Sequence, residues 1–153
     1  MPKKVDLLLI ALTSPIQIGV YEDDKLIETI TSEEHSSEVL PSLFDAILKR
    51  YDVQHFIYTN GPGSFMAIKI SFIFLRTLSI VKNIPLLAAD AFEFNNNQPI
   101  KAVGKLCFVK NAGSITTQIF PEVPSTAFIL PQHIDVKKFT AETAPFYGIG
   151  AVG

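Results

Sequence analysis

The architecture of the chain rests on residues 55–89, which read HFIYT NGPGS FMAIKISFIFLRTLSIVKNIP LLAA. The first five residues, 55–59, are mostly aromatic or branched, a composition typical of a strand. The Asn60-Gly61-Pro62-Gly63 sequence that follows is a concentrated turn signal. The hydroxyl of Ser64 is then placed to accept a hydrogen bond from the backbone of a following helix. The pattern predicts a strand that turns sharply into a capped helix.

The helix is predicted over residues 65–81, an apolar run that is too long for a strand and contains no glycine or proline. It ends before Pro85, because the residue that precedes a proline is pushed out of the α region. Residues 86–89 then form a second buried strand. The three segments together predict a βαβ unit whose two strands are parallel.

This helix is apolar on nearly every side. Its two cations, Lys69 and Arg76, stand seven residues apart and share one face, where Phe65 and Phe72 are interleaved with them. A helix without a polar face is normally buried all round. In a chain of this length we expect another polypeptide to supply part of that burial, with Phe65, Lys69, Phe72 and Arg76 facing the partner.

Composition limits the class of protein. The chain has 153 residues, of which 48% are hydrophobic and 18% are charged, so it can build the core of a globular domain. The net charge is −2, and the basic residues cluster only as pairs. Tight nucleic-acid binding needs a concentrated cationic surface, so direct high-affinity binding of RNA or DNA is not expected.

Three strands are predicted before the βαβ unit. Residues 5–12 form an apolar run, residues 16–21 alternate apolar and polar side chains, and residues 26–31 return after a polar turn. Because the turns between them are short, the three strands are expected to form an antiparallel meander.

A first helix is predicted over residues 37–51, with apolar side chains on about half of its circumference. Pro41 is expected to loosen its first turns. Three of the apolar positions, Val39, Leu43 and Ile47, are the second group of candidate partner contacts.

The order βββαβαβ predicts an α/β protein with the ribonuclease-H-like fold that actin and Hsp70 share. This domain is expected to span residues 1–94, and residues 95–153 to form a reduced, β-rich C-terminal part that begins with a polar linker. The strands expected in this second part lie at residues 101–110, 115–120, 126–130 and 146–153.

The ionisable and nucleophilic residues do not form an evident catalytic set. His35, His55 and His133 are scattered, without the spacing of a metal site and without a visible partner. Cys107 is the single cysteine and stands in an apolar run, which indicates a core residue. We therefore assign no catalytic residue and no metal ligand.

Two features bear on nucleotide binding. The Gly61-Pro62-Gly63-Ser64 loop stands at a helix N-terminus, where an anion can be held, but it lacks the lysine of a P-loop and Pro62 lacks an N–H. We interpret it as a structural loop.

Phosphoryl transfer on an actin-like fold needs acidic residues at the end of the first strand to hold Mg²⁺, and Leu12 stands there instead. Independent ATPase activity is not expected.

Three segments resemble a known family: LLIALTS at residues 8–14, HSSEVLP at residues 35–41 and NGPGSFMAIKISFIFLRTLSIVKNIPLLA at residues 60–88. They are similar to the bacterial TsaB (YeaZ) family, whose pattern has Asp-Thr-Ser at the end of the first strand, a His-Ser…Leu-Pro helix start and a Gly-Pro-Gly-Ser-Phe-Thr-Gly loop. The resemblance extends over residues 5–92.

The resemblance implies an actin/Hsp70-like fold and the role of a non-catalytic scaffold and activator. In that family the partner TsaD carries the metal and the transfer chemistry, the ATPase TsaE joins the assembly, and the product is threonylcarbamoyladenosine at position 37 of ANN-decoding tRNAs. The helices are expected to pack against those of a TsaD-like subunit or of a second copy in a homodimer, and tRNA to be reached only through the complex. No cofactor is expected on the isolated chain, whereas ATP at the interface with the partner stays open.

The chain departs from the family pattern in three ways. Leu12 replaces the family's Asp, Met66-Ala67 replace Thr-Gly after the GPGSF motif, and the shorter C-terminal third aligns only loosely. Three functions are alternatives to the scaffold role: a stand-alone actin-fold ATPase or kinase, a glycoprotease, and a self-associating structural protein.

The start of the chain resembles the beginning of a signal peptide, because two lysines precede the apolar residues 7–12. Asp6 interrupts this pattern, and no cleavage site of small residues follows. Residues 65–81 are long enough to span a bilayer, but their two cations would be costly there. A soluble, cytoplasmic protein without membrane contact is expected.

Overall fold

The structure is a computed structural model that describes residues 1–124 and 127–147. Within these residues the strands form a five-stranded sheet and a three-stranded sheet. The elements of the larger sheet and its helices are β1 (Lys4–Ile10), β2 (Ile16–Glu22), β3 (Lys25–Ser32), α1 (Ser36–Arg50), β4 (Asp52–Thr59), α2 (Phe65–Lys82) and β5 (Leu86–Ala89). A 3-10 helix (Ala91–Phe94) ends the first part, and the elements of the second part are β6 (Ile100–Val103), β7 (Leu106–Asn111), β8 (Ser114–Ile119) and a 3-10 helix (Val136–Lys138).

The large sheet has the order β3-β2-β1-β4-β5. β1 is antiparallel to β2 and parallel to β4, and β4 is parallel to β5. The central residue Leu8 pairs with Gly19 on one side and with Ile57 on the other. The predicted meander, the βαβ unit and the order βββαβαβ are therefore confirmed.

Both faces of the large sheet are covered, which explains why β1 is continuously apolar over residues 7–10. Leu7 and Leu9 point to the face on which α1 and α2 pack. Leu8 and Ile10 point to the opposite face, which is covered by residues of the second part such as Phe108. The alternation of side chains along a strand thus divides one apolar run between two cores.

α1 lies on the sheet through a buried side that includes Phe44, whose ring meets those of Phe56 and Phe74 edge to face at centroid distances of 5.9 and 5.3 Å. The end of α1 is tied to β3 by Glu28. Its carboxylate accepts hydrogen bonds from Arg50 at 2.8 and 2.9 Å and from the Tyr51 hydroxyl at 2.6 Å.

The second part differs from the prediction at residues 101–110, which were expected to form one strand. The chain turns at Gly104 and Lys105, so that two antiparallel strands, β6 and β7, replace it. Gly104 has a φ of +57°, a left-handed conformation that glycine adopts without steric cost. The predicted hairpin between β7 and β8 is confirmed.

The strand predicted at residues 126–130 is also corrected. Residues 127–130 do not form a strand, although Phe128 and Leu130 are buried, and Thr126 lies outside the described residues. In the polar run at residues 95–99, Asn95 is buried and donates from Nδ2 to the carbonyl oxygen of Gln98 at 2.8 Å, whereas Asn96, Asn97 and Gln98 are exposed. The run is therefore anchored at Asn95 and exposed over most of its length.

The strand predicted at residues 146–153 is only partly covered by the described residues. Phe146 and Tyr147 are not in a strand, and the rest of the strand predicted at residues 146–153 lies outside the described residues. Among the helices of the described residues, none is long and apolar enough to cross a membrane.

Candidate protein interface

The loop between β4 and α2 packs against its own chain. Gly61 has a φ of +116°, and a Cβ there would lie 2.0 Å from the carbonyl oxygen of Phe146, so only glycine fits. The carbonyl oxygen of Gly61 accepts a hydrogen bond from the N–H of Ala91 at 3.0 Å. Both Gly61 and Pro62 are buried, which leaves little of the loop open to a ligand.

The end of the same loop begins α2 and lies on Leu12. The Ser64 side chain caps the helix by accepting from the N–H of Ala67 at 3.4 Å. A Cβ at Gly63 would stand 3.1 Å from the Cδ2 atom of Leu12, so the backbone approaches that side chain closely.

Leu12 occupies the place where an α/β sheet usually binds ligands. In such sheets ligands bind beyond the carboxyl ends of the strands, at the point where the strand order reverses, here between β1 and β4. Leu12 follows the carboxyl end of β1 and is only 8% exposed. An apolar side chain of the protein thus lies at this crevice, and it offers no ligand to a metal.

A segment from the second part crosses the same edge of the sheet. Residues 140–147, called here the strap, begin with Thr140, which exchanges two backbone hydrogen bonds with Ala88 at 2.8 and 3.1 Å. Farther along, the N–H of Phe146 donates to the carbonyl oxygen of Asn60 at 2.7 Å. The Tyr147 ring stacks on Phe65, with centroids 4.3 Å apart. The strap therefore joins the carboxyl edge of the sheet to the start of α2.

The side of α2 that faces the sheet is buried. Ile68, Ser71, Leu75 and Ser79 are its buried residues. Phe72, which we predicted to face a partner, is half-buried and packs on the same core, with its ring centroid 6.0 Å from that of Tyr58. We therefore remove Phe72 from the candidate interface.

The opposite side of α2 is exposed and apolar. Met66, Ile73, Ile80 and Val81 are 57%, 54%, 68% and 70% exposed, and we call these four residues the outer stripe. Three of them recur every seven residues, the spacing at which side chains fall on nearly the same side of a helix. Phe65, which is 47% exposed, and the exposed Lys69 and Arg76 lie beside the stripe.

The outer stripe was missed because every side of α2 looked apolar in the sequence. Its members could have been found by the seven-residue spacing of Met66, Ile73 and Ile80, but the spacing alone does not tell which face meets the sheet. A contiguous exposed apolar face of this kind commonly marks a protein contact.

α1 presents a different surface. Val39 and Ile47 are 5% and 1% exposed and belong to the core under the helix, and Leu43 is half-buried against it. These three predicted contacts therefore pack inside the chain. The exposed side of α1 is mainly polar and carries the Asp45–Lys49 ion pair, at 3.0 Å.

One predicted absence is corrected by the structure. His55, for which we saw no partner in the sequence, lies 2.7 Å from Asp6, between its Nδ1 atom and the Oδ1 atom of the carboxylate. Burial raises the pKa of the Asp6 carboxyl, and the hydrogen bond with His55 partly offsets that rise. The pair joins β1 to β4 where the register shifts by one residue.

His55 also lines a cleft of about 630 Å³ at the beginning of β4. Tyr51, Lys82 and Pro85 line it as well, so the cleft lies at the end of the sheet opposite the Gly61–Gly63 turn. Within residues 1–124 and 127–147, no three His, Cys, Asp or Glu side chains gather in a way that could hold a metal ion.

Comparison with known families agrees with this architecture. Residues 27–108, more than half of the chain, match the family model described as TsaD: tRNA N6-adenosine threonylcarbamoyltransferase. The chain belongs to the TsaD family. No curated protein sequence matches it.

Solved structures show the fold of this TsaD-family chain. YeaZ from Pseudomonas aeruginosa superposes with a TM-score of 0.56 at 16% identity, over 87% of this chain and 70% of that chain. A second structure, of an uncharacterized protein with similarity to peptidase YEAZ from Pseudomonas aeruginosa, gives a TM-score of 0.53 at 17% identity, over 87% and 69%. The predicted actin-like α/β fold and the resemblance to the YeaZ (TsaB) family are confirmed.

Proposed function

We propose that this chain is a non-catalytic scaffold and activator subunit that binds a TsaD-like catalytic partner. The pair would attach the threonylcarbamoyl group to adenosine 37 of ANN-decoding tRNA, with a TsaE-like ATPase joining the assembly in the cytoplasm. The observation that carries this proposal is the outer stripe of α2, an exposed apolar helix face on a chain of the TsaD family.

Two features favour a supporting role over catalysis. The crevice at the carboxyl ends of β1 and β4 receives Leu12 and is crossed by the strap, so the usual ligand position of this fold is taken by the protein. The net charge is −2 and neighbouring basic residues occur in the sequence only as pairs, which favours contact with tRNA through the partner.

The alternative is a stand-alone actin-fold ATPase or kinase, since the family model is named for a transferase. Such an enzyme must hold Mg²⁺ and the phosphates with its own residues. Nucleotide at the interface with the partner is compatible with the scaffold, because the partner then supplies the metal ligands.

The test combines tRNA analysis with a matched pair of variants. The gene is depleted in its own organism, and the nucleosides of purified tRNA are measured by mass spectrometry. We expect threonylcarbamoyladenosine to fall and the wild-type gene to restore it. Ile73→Glu, in the centre of the outer stripe, should restore it poorly, whereas Ala46→Glu, on the exposed side of α1, should restore it fully.

Unchanged threonylcarbamoyladenosine after depletion would exclude the proposed function. Binding of the purified TsaD-like subunit of the same organism is measured in parallel by calorimetry. A Glu at this position would replace an apolar contact with a carboxylate that must lose its water, so Ile73→Glu is expected to weaken binding by about a hundredfold or more.

A further inference from the structure

The outer stripe has two unlike sides. Lys69 and Arg76 lie three residues after Met66 and Ile73, respectively, so both cations follow one side of the stripe, about 10 Å apart along the helix. Ile70 and Thr77 lie four residues after Met66 and Ile73, so the other side is neutral. The exposed face of α2 is therefore apolar in the centre and positive along one side only.

Lys69 and Arg76 have no counter-charge among the residues that the structure describes. Neither Lys69 nor Arg76 forms an ion pair with any of the residues 1–124 and 127–147. α2 itself contains no Asp or Glu. By contrast, Lys49 and Arg50 on α1 pair with Asp45 and Glu28. Within the described part of the chain, the cations at the end of α1 are thus paired and the two beside the stripe are not.

We infer that the outer stripe binds a helix of a different chain, which carries its own apolar stripe and carboxylates along the side that meets Lys69 and Arg76. This inference rests on the proposed function and specifies the chemistry of the partner surface. Carboxylates there would give both cations hydrogen-bonded partners as the contact excludes water. The charges would also fix the direction in which the two helices lie against each other.

A second copy of this chain fits the same face less well. In an antiparallel two-fold pair of α2 helices the symmetry axis is perpendicular to both helices, so the cationic sides of the two copies lie on the same side of the contact. Four cations would then gather with no carboxylate between them. In a parallel pair each cationic side would meet the neutral side of the other copy, and Lys69 and Arg76 would again gain no partner.

The experiment measures the affinity for the purified TsaD-like subunit of the same organism as a function of salt. Wild-type affinity is expected to fall as NaCl rises from about 0.05 to about 1 M, because salt screens ion pairs at the edge of a contact. The double variant Lys69→Glu/Arg76→Glu should bind about tenfold more weakly or worse at low salt. The matched control, Lys101→Glu/Lys105→Glu, makes the same change in net charge on the second sheet and should bind like the wild type.

Cross-linking of the complex identifies the partner residues. A carbodiimide joins a lysine amine directly to a carboxylate that it already contacts. We expect a cross-link from Lys69 to an Asp or Glu of the partner, found by mass spectrometry, and its loss in Lys69→Arg.

The outcomes separate this inference from the proposed function. If the wild type does not bind the TsaD-like subunit at all, the proposed function fails. If it binds, but equally well at all salt concentrations and equally well with both cations reversed, the inference about an acidic helix is overturned while the proposed function stands. If the isolated protein instead self-associates through the stripe, more tightly as salt rises, a second copy is the occupant and the inference is also overturned.

Discussion

The ring of Tyr147 stacks on the ring of Phe65, with centroids 4.3 Å apart and planes inclined by 29°. Tyr147 belongs to the strap, whereas Phe65 is the first residue of α2 and stands beside the outer stripe. A partner that binds the stripe would therefore approach the strap as well. The stack links the surface that we propose for binding to the segment that covers the carboxyl edge of the sheet.

A double-mutant cycle on Phe65→Ala and Tyr147→Ala measures this link. Aromatic stacks contribute about 0.5–1.5 kcal/mol beyond the area that they bury, so we expect a coupling free energy in that range from urea unfolding. Tyr147→Phe keeps the ring and should retain the coupling. If the losses of unfolding free energy in the two single variants simply add up in the double variant, the stack does not stabilise the strap.

Phe72→Glu and Ile73→Glu place the same charge at adjacent positions of one helix. Phe72 is half-buried against Tyr58, so its substitution should lower the free energy of unfolding by about 2–3 kcal/mol. Ile73 is 54% exposed, so its substitution should change stability by less than about 0.5 kcal/mol and instead weaken partner binding by about a hundredfold or more. Thermal unfolding followed by circular dichroism, together with a pull-down, checks both. Equal destabilisation by the two variants would place the stripe in the core of the chain.

Gly61→Ala should displace the strap. Its new Cβ would lie 2.0 Å from the Phe146 carbonyl oxygen, and the φ of +116° is unfavourable for alanine, so we expect a loss of about 2–5 kcal/mol in unfolding free energy. Gly104→Ala is the control, because Gly104 also has a positive φ but no atom within 4 Å of a new Cβ. It should cost only about 1–2 kcal/mol. Equal losses would mean that the close approach of the strap is unimportant.

Leu12→Asp restores the acidic residue of the family pattern, but we expect it not to create a site for Mg-ATP. Leu12 is buried under Gly63, so the carboxylate would lie in an apolar place, and we expect a loss of about 3–5 kcal/mol in stability. Leu12→Met, which conserves volume, should cost less than about 1.5 kcal/mol. Neither variant nor the wild type should hydrolyse Mg-ATP in isolation. Steady hydrolysis by pure wild-type protein would favour the enzyme alternative.

Glu28→Gln tests the connection between α1 and β3 through its pH dependence. Hydrogen bonds from Arg50, and then from Tyr51, lower the pKa of the Glu28 carboxyl below its ordinary value of 4.5. A lowered folded-state pKa means that the stabilisation is fully present above pH 4.5 and is lost as the pH falls through the folded-state pKa.

The variant should thus be less stable than the wild type at neutral pH, by less than about 1 kcal/mol because the pair is exposed. Below the folded-state pKa the two proteins should unfold at the same urea concentration. A difference that stays constant from pH 7 into the acid range would show that charge at Glu28 is not the cause.

The sequence by itself determined the order of the elements in the first part of the chain. Glycine and proline at residues 61–63 and Pro85 act on the backbone locally, so they mark the ends of β4 and α2 without reference to the rest of the fold. The apolar run at residues 7–10 of β1 likewise indicated a strand covered on both faces. Even the second part was predictable where a short turn signal, at residues 111–114, lay between two strand-like runs.

Only the tertiary structure decided which side of α2 is free. α2 has apolar residues all round, so the sequence cannot distinguish Phe72, which packs on Tyr58, from Ile73, which is exposed. The same holds for the strap and for the His55–Asp6 pair, whose partners lie 49 or more residues apart in the chain. Local patterns fix dihedral angles and periodicity, whereas contacts between distant residues depend on how the sheet, the helices and the strap come together, and that information is not contained in any one stretch of sequence.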